Sequence, residues 1–337
     1  MLSRPLTSLL FTAAASLPAG ALNINLNAAP GMDANALAGF QMAADYWEAH
    51  ITDSAQVYFD VGFQALSPGV LGQAGSQQVV VTASDYFTAL TADSTTSHDA
   101  LAVGNLPALS SGFLSFQTQA NTEGSSLAVS LDNDNTANNY YLALNTANAK
   151  AVGLFSGTTA DASITFSNLF SWDFDSSDGV GAGLQDFVGV AIHEMGHALG
   201  FTSGVDTVEY AVDAPLDLEG YAVFNSLDMF RYSAAGVLDL AVGGNPYFSL
   251  DEGATNLGYF STGSVYGDGR QASHWKDNLD LGIMDPTANP AGQVNTPSTL
   301  DKIALDVIGW DMNYAVPEPS ALLMLALGSL MLGRRRR

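Results

Sequence analysis

The sequence predicts an α+β fold on three observations. Helical patterns are inserted among strand patterns without the strand–helix–strand alternation of a parallel α/β protein. The chain of 337 residues is 47% hydrophobic and only 13% charged, so it can bury a large core and lacks the charge of a disordered protein. No segment repeats at a fixed period, which excludes a repeat architecture.

The first half of the chain contains one long helical pattern and several short strand patterns. Apolar residues recur on one helical face from Leu37 to Trp47, and Asp33 is a suitable N-cap, so a helix is predicted over 33–50. Short apolar or alternating runs predict a helix at 86–90 and strands at 57–63, 78–82, 113–116, 127–131, 140–144 and 163–166.

The second half begins with a helical pattern and continues as a less regular region. A glycine-rich stretch precedes a helix that starts near Asp186, and Gly200 permits the left-handed turn that ends it. After Gly200 the chain is rich in Gly, Asn and Asp, so it is predicted to be mostly loop until a last amphipathic helix at 300–308. The sequence therefore predicts an N-terminal subdomain at 22–200 and an irregular C-terminal subdomain at 201–315.

The N-terminal residues 1–21 are typical of an export signal peptide. Arg4 provides a positive start, residues 6–17 are mostly apolar, and residues 19–21 are the small residues that a signal peptidase requires. The break of the apolar run by proline and glycine argues against a buried first helix. The chain is therefore predicted to leave the cytoplasm.

The C-terminal residues 316–337 consist of Val-Pro-Glu-Pro, an uncharged run at 321–332 and four arginines at 334–337. The uncharged run is shorter than the roughly 20 residues of a transmembrane helix, but the basic cluster would keep that end in the cytoplasm. This arrangement resembles the PEP-CTERM sorting signal of exported bacterial proteins. The resemblance implies exosortase-type sorting machinery as a partner, a Gram-negative envelope or extracellular destination, and membrane contact only through this tail before its removal.

Charge and cysteine content exclude several classes of function. The chain has a formal net charge of −24, and residues 22–315 contain five Lys or Arg against 33 Asp or Glu, which gives −28. So acidic a surface argues against nucleic-acid binding, which needs cations facing phosphates. The chain has no cysteine, so a disulfide framework, a thiolate metal site and a cysteine nucleophile are all excluded.

The helical pattern after Asp186 contains the motif His-Glu-x-x-His. Residues four apart lie on the same helical face, so His193 and His197 can bind one zinc ion together. Glu194 lies beside them and can act as the general base that takes a proton from a metal-activated water. The motif predicts a catalytic Zn²⁺ centre, which needs a third protein ligand.

The motif itself does not determine the third ligand. The compact metzincin pattern HExxHxxGxxH requires a histidine at the position of Ser203, which is a poor ligand. Asp206, Glu209, Glu219 and His274 remain as candidates. The chain has only five histidines, and this small number favours His274.

The sequence around His274 resembles that of a known family. Ser273-His274-Trp275 is followed by Met284-Asp285-Pro286 and then by Asp-Val-Ile-Gly-Trp at 306–310. These segments look like those of the leishmanolysin group, in the same order and after a long insertion. The chain thus resembles an exported bacterial metzincin-type zinc metalloprotease.

The resemblance implies a zincin fold, in which an active-site helix packs on a twisted mixed sheet and the C-terminal subdomain is irregular. It also implies His193, His197 and His274 as metal ligands and Glu194 as the general base. Met284 would be the methionine of the turn beneath the metal.

The sequence supports more than one functional hypothesis. The first is an exported zinc metalloendopeptidase with a protein or peptide substrate. The alternative is an envelope or extracellular-matrix binding protein whose zinc site is structural or vestigial, and the third is a zinc hydrolase with a non-peptide substrate. Ca²⁺ is a candidate second ion, because residues 132–134 and 173–178 resemble parts of calcium loops. His50 and His98 lack partners at ligand spacing and are predicted to be structural or exposed.

Overall fold

The structure is a computed structural model that describes residues 21–119, 126–214 and 216–315. Over these residues it contains the α-helices α1 (Ala34–His50), α2 (Ala83–Asp93), α3 (Ser97–Val103), α4 (Ala137–Tyr140), α5 (Thr146–Ala151), α6 (Phe187–Leu199), α7 (Val205–Asp213) and α8 (Thr299–Asp306). The strands are β1 (Asn23–Ala28), β2 (Gln56–Gln64), β3 (Gly72–Ser76), β4 (Gln78–Thr82), β5 (Phe116–Gln119), β6 (Val129–Asp132), β7 (Tyr141–Asn145), β8 (Ala162–Ser167), β9 (Trp172–Asp173), β10 (Gln185–Asp186), β11 (Arg231–Ala234), β12 (Val237–Leu238), β13 (Tyr247–Phe248) and β14 (Gly258–Tyr259). The fold is therefore mixed α+β, as the sequence predicts.

A mixed four-stranded sheet forms the centre of the first half, with the strand order β1-β2-β8-β3. Strands β1, β2 and β8 are parallel, and the edge strand β3 runs antiparallel to β8. Val57, Phe59 and Val61 of β2 are buried, because alternate residues of a strand point to the same face. This face provides the surface against which helices bury their apolar side chains.

Helices α1 and α6 pack against each other and against this sheet through aromatic rings. The ring of Phe40 on α1 lies 5.0 Å from that of Phe187 on α6 and 4.9 Å from that of Phe166 on β8. Trp47 of α1 donates a hydrogen bond from Nε1 to the backbone oxygen of Ile192, at 3.1 Å. Helix α1 is therefore fixed beside the turn of α6 that carries the His-Glu-x-x-His motif.

The second half contains a smaller antiparallel sheet, with the strand order β12-β11-β13-β14, together with α7 and α8. Its aromatic core centres on Trp275, whose ring lies 5.6 Å from Phe248 and 5.0 Å from Phe260. Trp310, after α8, donates from Nε1 to the backbone oxygen of Leu199 at 2.7 Å. The end of α6 is thereby joined to the last segment of the chain.

Most of the predicted helices and strands are confirmed. The predicted helices at 33–50 and 86–90 are α1 and α2, the helix after Asp186 is α6, and the helix at 300–308 is α8. The predicted strands at 57–63, 78–82, 127–131, 140–144 and 163–166 correspond to β2, β4, β6, β7 and β8. Asp33 caps α1, because its side chain accepts from the backbone N–H groups of Asn35 and Ala36.

Three features of the fold differ from the sequence predictions. The region after Gly200 is mostly loop, as predicted, but it also contains α7 and the sheet β11 to β14, which the patterns do not predict; these strands have two to four residues and are too short to show alternation. The strand predicted at 113–116 starts only at Phe116, because Phe113 closes a turn with Ser110 through reciprocal backbone hydrogen bonds. The sequence patterns also miss the strands β1, β3, β9 and β10 and the helices α3, α4 and α5.

The two predicted terminal segments lie outside the described residues, apart from residue 21. Among the residues that the structure describes, no helix combines the length and the apolar character needed to cross a membrane. One apolar core contains buried residues from both sides of the predicted boundary at residue 200. The subdomain limits at 22–200 and 201–315 stay a prediction.

Candidate metal centre

Helix α6 places the two histidines of the motif on one face. Asp186 caps its start by accepting from the backbone N–H of Gly189 at 3.0 Å, and Gly200 ends it with a φ of 127°. Because one helical turn has 3.6 residues, His193 and His197 stand above one another. Their Nε2 atoms are 3.0 Å apart.

His274 reaches this pair from the segment between β14 and α8. Its Nε2 atom lies 3.1 Å from Nε2 of His197. The nitrogens of His193, His197 and His274 all lie within 4.8 Å of one another, and no other group of potential ligands in the described residues includes the two histidines of α6. The structure therefore brings together the three residues that the sequence resemblance implies.

The protonation of the three rings suits a metal ion. The Nδ1 atoms lie against the backbone oxygens of Ile283 at 2.6 Å, Phe201 at 2.7 Å and Gln271 at 3.3 Å. A carbonyl oxygen only accepts, so each Nδ1 carries the proton and each Nε2 presents a lone pair to the other two rings. Lone pairs so close repel one another, and a shared cation removes this repulsion.

The distances and charges also fit zinc. Ligand nitrogens around a tetrahedral zinc ion, each about 2.0–2.1 Å from it, lie roughly 3.3 Å apart, close to the observed separations of 3.0 and 3.1 Å. Burial lowers the pKa of His193 and His197, and it lowers the pKa of His274 to about 3. Neutral imidazole is the form that binds a metal, so the donor set fits Zn²⁺.

Glu194 lies beside the three histidines and lines the same cleft. Burial raises the pKa of its carboxyl group to about 8. The cleft has a volume of about 1990 Å³, and the edge strand β3 lines part of it. Tyr210 and Tyr221, from the insertion after the motif, line another part and are largely exposed. The site is therefore open to a large ligand.

Met284 lies directly beneath α6. A Cβ atom built on Gly196 would be 2.6 Å from Sδ of Met284, so the glycine allows this close approach. The backbone oxygen of Met284 accepts from the N–H of Trp275 at 3.0 Å. The preceding residue, Ile283, is the one whose oxygen accepts from His193. The methionine turn thus contacts both the helix and the segment that carries the third histidine.

Asp301, at the start of α8, organises this turn and was not singled out by the sequence. Its fully buried carboxylate accepts from the backbone N–H groups of Ile283 at 2.8 Å and Met284 at 3.2 Å. It also accepts from Nε1 of Trp275 at 2.8 Å and from the backbone N–H of Ser298 at 2.6 Å. The Ser-x-x-Asp capping pattern at 298–301 is the only sequence signal for this residue.

The other candidates for the third ligand point elsewhere. Asp206 accepts from Ala272 and Ser273, which are next to His274 rather than at the metal. Glu209 accepts from the backbone N–H groups of residues 264–266. Glu219 accepts from the hydroxyl of Thr136. Each of these carboxylates binds groups away from the Nε2 atoms, although the groups that Asp206 binds belong to the two residues before His274.

Ser203 occupies the position of the third ligand in the compact pattern. It contacts Ser273, the residue before His274. Its backbone N–H donates to Oγ of Ser273 at 2.9 Å, and its hydroxyl donates to Asp228 at 2.5 Å.

The remaining histidines stay apart from the triad. His50 is buried against the backbone oxygen of Tyr46, and Nδ1 of His98 lies 3.7 Å from the carboxylate of Asp306.

Two clusters of carboxylates are candidate cation sites among the described residues, formed by Asp132, Asp134 and Glu219 and by Asp53, Asp93 and Asp311. The first includes the loop at 132–134 that resembles part of a calcium site. In the loop at 173–178, the Asp173 carboxylate accepts from the backbone N–H groups of Asp175 and Gly181. Calcium binding stays a prediction.

Comparison with known proteins identifies one segment of the chain. Residues 315–337 match the family model of the PEP-CTERM protein-sorting motif. No curated protein and no solved structure matches the chain. The match confirms the predicted sorting signal, which implies recognition by exosortase-type sorting machinery, whereas membrane contact and removal of the tail stay predictions. The chain is an exported protein of the Gram-negative cell envelope or extracellular space.

Proposed function

We propose that the chain is a zinc-dependent endopeptidase of the metzincin type. The observation that carries the proposal is the convergence of the Nε2 atoms of His193, His197 and His274 beside Glu194 in an open cleft. The packing of α6 on the mixed sheet and the position of Met284 beneath Gly196 support a zincin fold. The delivery of His274 from a distant segment supports a leishmanolysin-like ligand arrangement.

Zinc, when bound, supplies a Lewis acid that polarises a carbonyl oxygen and makes water a better nucleophile. The three histidines would hold it, because their Nδ1 protons are donated to backbone oxygens and their Nε2 atoms are free to coordinate. The oxygens of Ile283, Phe201 and Gln271 thus orient the rings and select the tautomer that binds metal.

Glu194 is the residue that moves protons in this proposal. Its carboxylate takes a proton from the attacking water and later gives a proton to the leaving amine, so no covalent intermediate with the chain is formed. The side chain stands next to His193 on α6 and lines the cleft, so it can reach both the water and the substrate. Burial keeps competing solvent away from it.

The cleft suits an extended polypeptide. Strand β3 is the edge of the main sheet and pairs with β8 on one side only in the described residues. Residues 72–74 and 76 of this strand line the cleft near Glu194. An extended substrate can therefore add to the free edge through backbone hydrogen bonds, which binds peptides without requiring one particular side chain.

The test is zinc content together with casein cleavage, measured on the chain and on Glu194→Gln. The variant is expected to keep its zinc and lose activity by about 10²–10⁴-fold, which is the usual contribution of a positioned acid or base. Glu252→Gln, at an exposed glutamate, is the matched control and is expected to cleave normally. A fully active Glu194→Gln variant would contradict the proposed role of this carboxylate.

The sorting motif supports a second candidate function, an envelope or matrix binding protein with a structural or vestigial zinc site. Equimolar zinc without cleavage of any protein would favour this candidate over the protease. Zinc-dependent hydrolysis of a non-peptide substrate in the same assays would favour a different hydrolase.

A further inference from the structure

Helix α7 presents a row of carboxylates to the segment that leads to His274. Asp206, Glu209 and Asp213 are spaced by three and four residues, so they share one helical face. All three accept hydrogen bonds from residues 264–273. Carboxylates usually face solvent, but Glu209 is buried in this contact.

Asp206 holds the two residues that precede His274. Its Oδ1 atom accepts from the backbone N–H of Ala272 at 2.7 Å. Its Oδ2 atom accepts from the backbone N–H of Ser273 at 3.2 Å and from the Ser273 hydroxyl at 2.5 Å. One carboxylate therefore fixes both backbone N–H groups next to the histidine, and with them the direction in which the chain enters His274.

Glu209 holds the beginning of the same segment. Its carboxylate accepts from the backbone N–H groups of Ser264 at 2.7 Å, Val265 at 2.9 Å and Tyr266 at 2.9 Å. Gly263 lies against it with a φ of 133°, and a Cβ there would be 2.4 Å from Oε1 of Glu209. The loop can approach the carboxylate this closely only because the residue is glycine.

His274 depends on this support more than the other two histidines do. The helix fixes His193 and His197 through its own backbone, and their Nδ1 atoms lie 2.6 and 2.7 Å from backbone oxygens. His274 lies outside any helix or strand, and its Nδ1 atom is 3.3 Å from the oxygen of Gln271. The position of its ring is therefore set mainly by the path of the backbone.

We propose that α7 is the element that positions the third histidine, with Asp206 as the principal positioning residue and Glu209 as the second. Both act through the backbone of residues 264–273 and neither touches the metal. The inference rests on the metal centre of the proposed function, and it gives a role to the insertion that separates His197 from His274.

The test is the affinity for Zn²⁺, measured by competition with a chelator, in the full chain and in Asp206→Asn. The amide cannot accept all three hydrogen bonds, so we expect zinc affinity to fall about 10–100-fold, as for other residues that orient metal ligands. Asp213→Asn is the control, because Asp213 is exposed and, within the described residues, accepts only from the hydroxyl of Tyr266; the zinc affinity of this variant is expected to change less than about twofold.

A spectroscopic readout separates positioning from general loss of stability. The visible absorption of the Co²⁺-loaded protein reports the ligand set, and we expect it to change in Asp206→Asn but not in Asp213→Asn. Ser273→Ala removes one partner of Asp206 and is the milder second variant, with a smaller change in the same direction. Folded Asp206→Asn and Ser273→Ala proteins with unchanged affinity and unchanged Co²⁺ spectrum would overturn the inference.

Peptide cleavage in the same preparations distinguishes this inference from the proposed function. Tight zinc binding that Asp206→Asn weakens, without cleavage of any peptide, supports the positioning role and contradicts the protease. Normal cleavage with zinc affinity independent of Asp206 contradicts the positioning role alone. A full chain that binds no zinc overturns both.

Discussion

The two halves of the candidate metal centre are held in different ways. Helix α6 places His193 and His197 by its own geometry, within 13 residues. The segment that carries His274 is held by hydrogen bonds that span 26 residues to Asp301 and 67 residues to Asp206. The comparison shows that half of the site is a local structure and the other half a product of long-range contacts.

Buried and partly buried carboxylates hold the segment that carries His274. Asp206, Glu209 and Asp301 together accept from seven backbone N–H groups of residues 264–284. The chain has no cysteine, so no disulfide can tie this irregular segment. Charge-assisted hydrogen bonds are stronger than neutral ones and take that structural role here.

The largest expected effect is that of Gly204→Ala. This residue lies at the start of α7, the helix whose carboxylates hold the segment that carries His274. A Cβ on Gly204 would lie 2.1 Å from the backbone oxygen of Val223 and 2.8 Å from Cα of Phe224, so backbone must move. We expect the free energy of unfolding to fall by about 3 kcal/mol or more, above the usual cost of overpacking. Urea unfolding measures this change.

Gly220→Ala serves as the control for this substitution, because a Cβ at Gly220 meets nothing within 4 Å. A stability of Gly204→Ala equal to that of the control would show that α7 does not need its close contact with residues 223–224.

Asp301→Asn weakens the turn at Ile283 and Met284, which joins helix α6 to the segment that carries His274. The amide keeps the size of the carboxylate but cannot accept all four of its hydrogen bonds. We expect the free energy of unfolding to fall by about 1.5–3 kcal/mol, the range for a hydrogen bond to a charged group. Asp280→Asn, at an exposed aspartate, is expected to change it little. Equal unfolding curves for the two variants would contradict the stabilising role assigned to the Asp301 carboxylate.

The smallest expected effect concerns a cluster of carboxylates outside the metal centre, formed by Asp53, Asp93 and Asp311. Burial raises the pKa of Asp53 to about 8 and that of Asp93 to about 7, and the neighbouring carboxylates of Asp311 and Asp99 add to these shifts. A folded pKa above the ordinary value of 3.8 means that the folded state binds the proton more tightly. The resulting stabilisation is complete below about pH 4 and is lost as the pH rises through about 8.

Asp53→Asn is therefore expected to flatten the decline of Tm between about pH 5 and pH 8, with zinc affinity unchanged. The measurement is Tm against pH for the two proteins, with the exposed Asp45→Asn as control. Parallel profiles for Asp53→Asn and the unchanged chain would contradict the assignment of this pH dependence to Asp53.

The contrast between the two halves also explains how much could be predicted from the sequence. Helix α6 and its motif have a strong period and clear ends at Asp186 and Gly200, so their structure follows from local rules. His274 could be favoured from its neighbours, but the residues that hold it could not be found. The sequence offers Asp206 as a candidate ligand, whereas in the structure its carboxylate binds the backbone of the two residues before His274.

The strands of the fold differ in the same way. Strands β2 and β8 alternate over six to nine residues and are predictable, whereas β11 to β14 have only two to four residues each and are defined by their pairing with one another. Asp301 illustrates the limit at the level of one residue. Its sequence pattern indicates a helix cap, and nothing local shows that the same carboxylate also binds the turn at Ile283 and Met284.

The most direct test of the account is the zinc content and zinc affinity of His274→Ala beside those of the unchanged chain. We expect one zinc per unchanged chain and a loss of affinity of more than about 100-fold in the variant, beyond the effect of residues that only orient ligands. His98→Ala, at a histidine outside the triad, is expected to bind zinc normally. Stoichiometric zinc with unchanged affinity in His274→Ala would contradict the claim that this distant histidine completes the metal centre.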